Sequence, residues 1–139
     1  MTFAAQHVMT LRVTVGPEQV VGQTPQGRLV IIPITGGTFE GVGIRGRVCP
    51  GGADWNVTAA GSLSHVLARY WLETDDGAVI AVENEGWLDS GDTSAVWRTT
   101  PRFQCDVNGK YASLVTGGYV GELRGVAPDR VEIMVWRLS

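Results

Sequence analysis

A chain of 139 residues with a formal net charge of -3 fits one domain over residues 1–139, long enough for a single core. Its mildly acidic balance, without any lysine or arginine cluster, argues against nucleic acid or an anionic membrane surface as partner. No apolar run reaches the roughly 20 residues that a membrane-spanning helix needs, and Met1–His7 lacks the pattern of a signal peptide, so the expected compartment is the cytoplasm.

Met9–Val15 alternates apolar and polar residues, as a half-buried strand does, and Gly16-Pro17 ends it. Arg28–Ile34 is a continuous apolar run in which Pro33 implies a bulge or an edge. From Thr38 to Val48 glycines interrupt, with Val42, Ile44 and Val48 on one side and Arg45 and Arg47 on the other. Val66–Thr74 and Ala78–Asn84 flank Asp75-Asp76-Gly77, a hairpin signal. Four more strand candidates follow: Ala95–Phe103, Tyr111–Val115, Tyr119–Leu123 and Arg130–Leu138, with turns at Asn108-Gly109 and Ala127-Pro128-Asp129. Nothing sustains a helical period. An all-β domain of regularly spaced antiparallel strands results, and the few long loops favour a closed meandering barrel.

Gly41-Val42-Gly43-Ile44-Arg45-Gly46 has the glycine spacing of a dinucleotide loop. That loop works only where a helix N-terminus follows, and Pro50-Gly51-Gly52 lies too close downstream for one. The glycines fit a sharply bent strand better. Cys49, Cys105, His7 and His65 have no metal-ligand spacing, so two ordinary thiols and no metal or other cofactor are expected.

Acids among apolar and glycine neighbours are the sharpest signal for chemistry. If the alternation holds back from Val48 through Ile44, Glu40 faces inward, where burial would raise its pKa and fit it for general acid or base work. A bulge at Gly41 or Gly43 would turn it outward. Asp54 is either a turn cap or a second acid beside Trp55, which is core or ligand platform. Tyr70 and Asn84 fall on apolar faces of adjacent strands, and either satisfy each other or point into a cavity. Arg98 is either a surface residue or a fork holding a substrate anion. Trp97 and Phe103 supply aromatic wall.

Pro33-Ile34-Thr35-Gly36-Gly37, Glu40-Gly41, Pro50–Trp55, Ala68-Arg69-Tyr70, Thr74–Gly77 and Arg98-Thr99 together resemble the DUF3237 (UPF0311) family, from about Leu11 to Leu138. The resemblance implies a closed, eight-stranded barrel of the allene-oxide-cyclase type, whose relatives hold a reactive small molecule in an apolar interior. It also points to a homo-oligomer. Val96-Trp97 and Tyr111–Thr116 depart from the family pattern at positions bordering the expected cavity. Two functions follow as expectations. One is a cofactor-independent isomerase, cyclase or lyase with Glu40, Asp54 and Arg98 catalytic and Trp55, Tyr70, Asn84, Trp97 and Phe103 binding a small, partly apolar substrate. The other is a non-catalytic carrier or sensor barrel.

Overall fold

The computed structural model describes residues 1–89, 91–92 and 96–139. The chain is all-β: β1 (Ala5–Val15), β2 (Gln19–Thr24), β3 (Gly27–Gly41), β4 (Ile44–Val48), β5 (Ala53–Ala60), β6 (Leu63–Thr74), β7 (Val79–Asp89), β8 (Trp97–Gln104), β9 (Gly118–Ala127) and β10 (Arg130–Leu138). Every pairing is antiparallel. Neighbours in sequence pair from β5 through β10, and β1 closes the ring by pairing with both β10 and β3. The 15-residue β3 explains how ten strands make an eight-position barrel. Its first half pairs with β2 and β5 and its second half with β1 and β4, so β1 and β2 share one position on one side of it and β4 and β5, which both pair with β6, share one on the other.

Pro33 stands where β3 changes partners. It has no N–H to give to a ladder; around it, Gly16 N–H donates to the Pro33 carbonyl (2.9 Å) and Ile34 N–H to the Gly52 carbonyl (2.8 Å). Closure also needs glycine. A Cβ on Gly37, which has φ of 133°, would lie 2.1 Å from the Arg12 carbonyl oxygen, and one on Gly46 2.0 Å from that of Glu73. The glycine block therefore admits neighbouring backbones at close range.

Two sequence expectations are corrected, and two strands join those expected. Thr38–Val48 is a hairpin, not one strand: Gly41 pairs with Ile44, and Val42 at the tip is 95% exposed. A two-residue turn reverses which parity faces inward, so Phe39 and Ile44 are buried while Glu40 and Arg45 pair on the outside. Tyr111–Val115 contains no strand; Ala112–Val115 forms a 3₁₀ turn that buries Leu114. β5 went unrecognised because its pattern is inverted, with Asp54 and Asn56 inward and Trp55 outward. β2 is a short edge strand with two exposed valines and no apolar alternation. Of the expected strand from Ala95, that first residue lies outside the described residues.

The two ends of the barrel differ. Towards the β3–β4 and β6–β7 turns the interior is solid: Met9, Leu11, Phe39, Leu72, Ile80 and Val135 are fully buried, and Phe103 packs edge-on against Tyr119 at 5.2 Å between centroids. Each such side chain stabilises the fold by about 1.5–3 kcal/mol. Towards the other end, inward positions carry small or polar residues instead: Ala68, Asn84, Gly86, Thr99 and Gly125. A barrel filled by large side chains in one half and small ones in the other keeps a hollow at the second end. No helix among the described residues is long and apolar enough to cross a membrane.

Candidate functional site

The hollow has a volume of about 570 Å³, within the range of small-molecule sites. Ile32, Val66, Leu88, Leu123 and Ile133 make its walls apolar, and its mouth lies between Gly16–Glu18, Pro128 and Arg130. Strand register then sets the polar groups. Asp54 pairs with Ala68, Ala68 with Asn84, and Asn84 with Pro101, a single row across four strands. Strands stand about 4.8 Å apart, so Asp54 and Asn84 sit roughly 10 Å apart on the backbone with only an alanine methyl between them. Tyr70 enters one step deeper, opposite Val82.

Three residues that line this cavity each hold a buried polar atom with no hydrogen-bond partner among the described residues: Asn84 Oδ1, Trp97 Nε1 and Thr99 Oγ1. A buried group left so costs about 1–3 kcal/mol. Three such groups on the adjacent strands β7 and β8, around one cavity, make a site-sized exception to the rule that buried polar atoms are satisfied.

Asp54 Oδ1 accepts the Leu67 N–H at 3.1 Å, which engages one of its two oxygens. The donor belongs to the neighbouring strand β6, so the residue does not cap its own turn. Burial pushes its carboxyl above the ordinary value, partly offset by the Leu67 N–H and by the charge of His65. His65 stands on the outer face of β6, bonded to Glu85 at 2.7 Å. Burial likewise raises the Tyr70 phenol, so it stays protonated and can donate. Among the described residues no group of three His, Cys, Asp or Glu stands close enough to hold a metal.

Of the eight side chains singled out in the sequence, the structure brings Asp54, Tyr70, Asn84 and Trp97 to the cavity. Glu40 does not reach it: its side chain is 64% exposed and bonds Arg12 Nη1 at 2.9 Å. Arg98 stands on the outer surface, 63% exposed and 3.7 Å from Glu122. Adjacent strand residues face opposite ways, so Trp97 and Arg98 could not both be inside. Trp55 is outward and 39% exposed, in a surface groove with Arg69 and Trp71. Phe103 faces inward but belongs to the solid core. Thr99 was missed, although its spacing of two from Trp97 was the available signal.

The chain matches, over residues 3–138, the family model described as a protein of unknown function, DUF3237. A curated relative from Rhodopseudomonas palustris, named a UPF0311 protein, is 41% identical over 85 residues, which is 61% of this chain and 56% of that protein. Another from Clostridium acetobutylicum is 35% identical over 82 residues, 58% of this chain and 52% of its own length. The chain thus spans about half the length of the curated relatives it matches. Among solved structures, a conserved protein of unknown function from Rhodopseudomonas palustris has a TM-score of 0.90 at 33% identity, covering 100% of this chain and 99% of that one. A β-barrel-like protein from Acinetobacter baumannii has a TM-score of 0.90 at 29% identity, covering 100% and 98%. An enzyme from Penicillium herquei has a TM-score of 0.80 at 21% identity, covering 100% and 96%; that likeness is one of fold.

Proposed function

The chain belongs to the DUF3237 family of proteins of unknown function, and we propose that it is a general acid/base enzyme acting on a small, partly apolar molecule inside the barrel. The observation that carries this reading is Asp54: an acid in a largely apolar cavity, its pKa raised by burial, in one row with Asn84. A carboxyl tuned upward serves proton transfer near neutral pH better than an ordinary one. In the reaction class that suits it, Asp54 carboxylate takes a proton from a carbon next to a carbonyl. The electron pair moves onto the carbonyl oxygen, and hydrogen-bond donors on the wall hold that charge. The protonated Asp54 then returns the same proton at another carbon. Where the substrate carries a double bond conjugated with that enolate, the proton lands at its far end, the double bond migrates, and the net change is an isomerisation.

The chemistry assigned to Glu40 and Arg98 from sequence passes to Asp54 and to the uncharged donors Tyr70, Trp97 and Thr99. A second reading, a carrier, is favoured by the partnerless groups themselves, which need a ligand but no reaction. Loss of carbon-bound protons in heavy water separates the two. Across a panel of uncharged bicyclic ketones followed by proton NMR, the wild-type protein should accelerate exchange beside the carbonyl. Asp54→Asn should remove about 10²–10⁴-fold of that acceleration while ligand affinity stays within a few fold. Equal exchange in the variant, or none above background in the wild type, would leave the carrier reading.

A further inference from the structure

We infer that the cavity selects an uncharged, oxygen-bearing apolar molecule, and that Trp97 Nε1–H and the Thr99 hydroxyl of β8 grip its carbonyl or hydroxyl oxygen. This deepens the proposed function and rests on the same cavity. Trp97 and Thr99 are two apart on one strand, so both enter from the same wall. Both polar atoms are buried, and neither has a hydrogen-bond partner among the described residues. An indole N–H can only donate, so what satisfies Trp97 must carry an acceptor.

The neighbours of Thr99 give its hydroxyl no partner and pack closely around its side chain. A Cβ on Gly121, its partner across β9, would lie 2.6 Å from Thr99 Oγ1, and one on Gly86 of β7 would lie 2.9 Å from Thr99 Cγ2. Thr99 itself fills the space that glycine leaves on both flanks, which is why its hydroxyl is buried without a protein partner among the described residues.

Charge then narrows the ligand. Arg98, between these donors on β8, and Arg102, beyond them, stand on the exposed outer face. Arg130 is the one basic residue lining the cavity among the described residues; it sits exposed at the mouth, 3.9 Å from Asp129. The other charged residues there are acids, Asp54 and Glu18. A carboxylate or phosphate drawn inside would lose its water and meet no cation. A cation could meet Asp54 but would leave the Trp97 donor unsatisfied. A neutral ketone, ester or alcohol pays no charge-burial cost and satisfies the donors.

Calorimetric binding of four matched probes at neutral pH tests this: tetralone, naphthoate, naphthylmethylammonium and naphthalene. Tetralone should bind at least about tenfold more tightly than either charged probe. Thr99→Val and Trp97→Phe should each weaken tetralone about fivefold, one hydrogen bond's worth, and leave naphthalene within about twofold. Tighter binding of either charged probe overturns the inference. So does equal weakening of tetralone and naphthalene in the variants, which would mean packing alone. Binding by none of the four overturns the ligand class and the cavity reading together. If tetralone is preferred but Asp54→Asn leaves proton exchange unchanged, catalysis fails and the ligand class stands. If the variant loses exchange while naphthoate is preferred, the ligand class fails alone.

Discussion

Asn84→Leu should make this protein more stable and weaken binding of a hydroxyl-bearing molecule in the cavity. Asn84 is 4% exposed, on the inner face of β7, and its Oδ1 has no partner among the described residues. Leucine keeps the branched outline of the side chain, removes both polar atoms, and has the cavity beside it to take up the added bulk. Removing an unsatisfied buried group should recover about 1–3 kcal/mol. With an unfolding entropy of about 2.1 cal/mol/K per residue, the 139 residues turn that into a rise in Tm of about 3–10 °C. Calorimetry at fixed pH, with urea unfolding followed by tryptophan fluorescence as a second measure, reads the change. Affinity for the alcohol tetralol should fall by about fivefold in the same variant, because the acceptor for its hydroxyl hydrogen is gone. A variant that melts lower than wild type would refute the reasoning: Asn84 would then be part of the scaffold, and its open oxygen no sign of a ligand.

Asp54→Asn should also stabilise, but only over part of the pH range. The unfolded chain titrates this carboxyl at its ordinary 3.8, and the folded chain holds the proton to higher pH. The unfolded state therefore binds fewer protons in that window, and wild-type stability falls as pH rises through it. The variant should melt above wild type near neutrality and converge with it below pH 3.8; a constant gap across pH would contradict burial as the cause. Glu40→Gln and Arg98→Met should leave proton exchange and tetralone binding unchanged, because both residues lie on the outer surface. A tenfold loss in either, measured by the same NMR and calorimetric assays, would restore them to the site.

How legible these features were depended on whether face assignment needed an intact period. The β6–β7 hairpin follows from alternation about Asp75-Asp76-Gly77, and its register sets Ala68 against Asn84 and Tyr70 against Val82. There each residue's face could be counted from one turn. Glu40 failed for the opposite reason. Counting back from Val48 crosses the Val42-Gly43 turn, where two residues at the tip reverse the parity without any break in apolar spacing. Asp54 was ambiguous because β5 turns its polar residues inward, as only a strand facing a hollow does. Arg98 could have been excluded from the interior once Trp97 was placed there, since the two are adjacent in one strand. Thr99 lay within reach of the same argument.

The barrel's two halves also explain why polar groups can stay unsatisfied at one end. Marginal stability leaves little room for several groups each costing about 1–3 kcal/mol. Here the solid half, with Phe39, Leu72 and Ile80 fully buried, supplies packing that does not depend on the hollow. The glycines of the same region let β1, β3, β4 and β6 approach closely enough to close the ring. With closure secured at that end, the polar side chains of Asp54, Asn84, Trp97 and Thr99 can remain buried at the other. A barrel built for stability alone would fill those positions with leucine and valine. That it does not is the physical argument for function in this cavity, and it gives Asn84→Leu its sign.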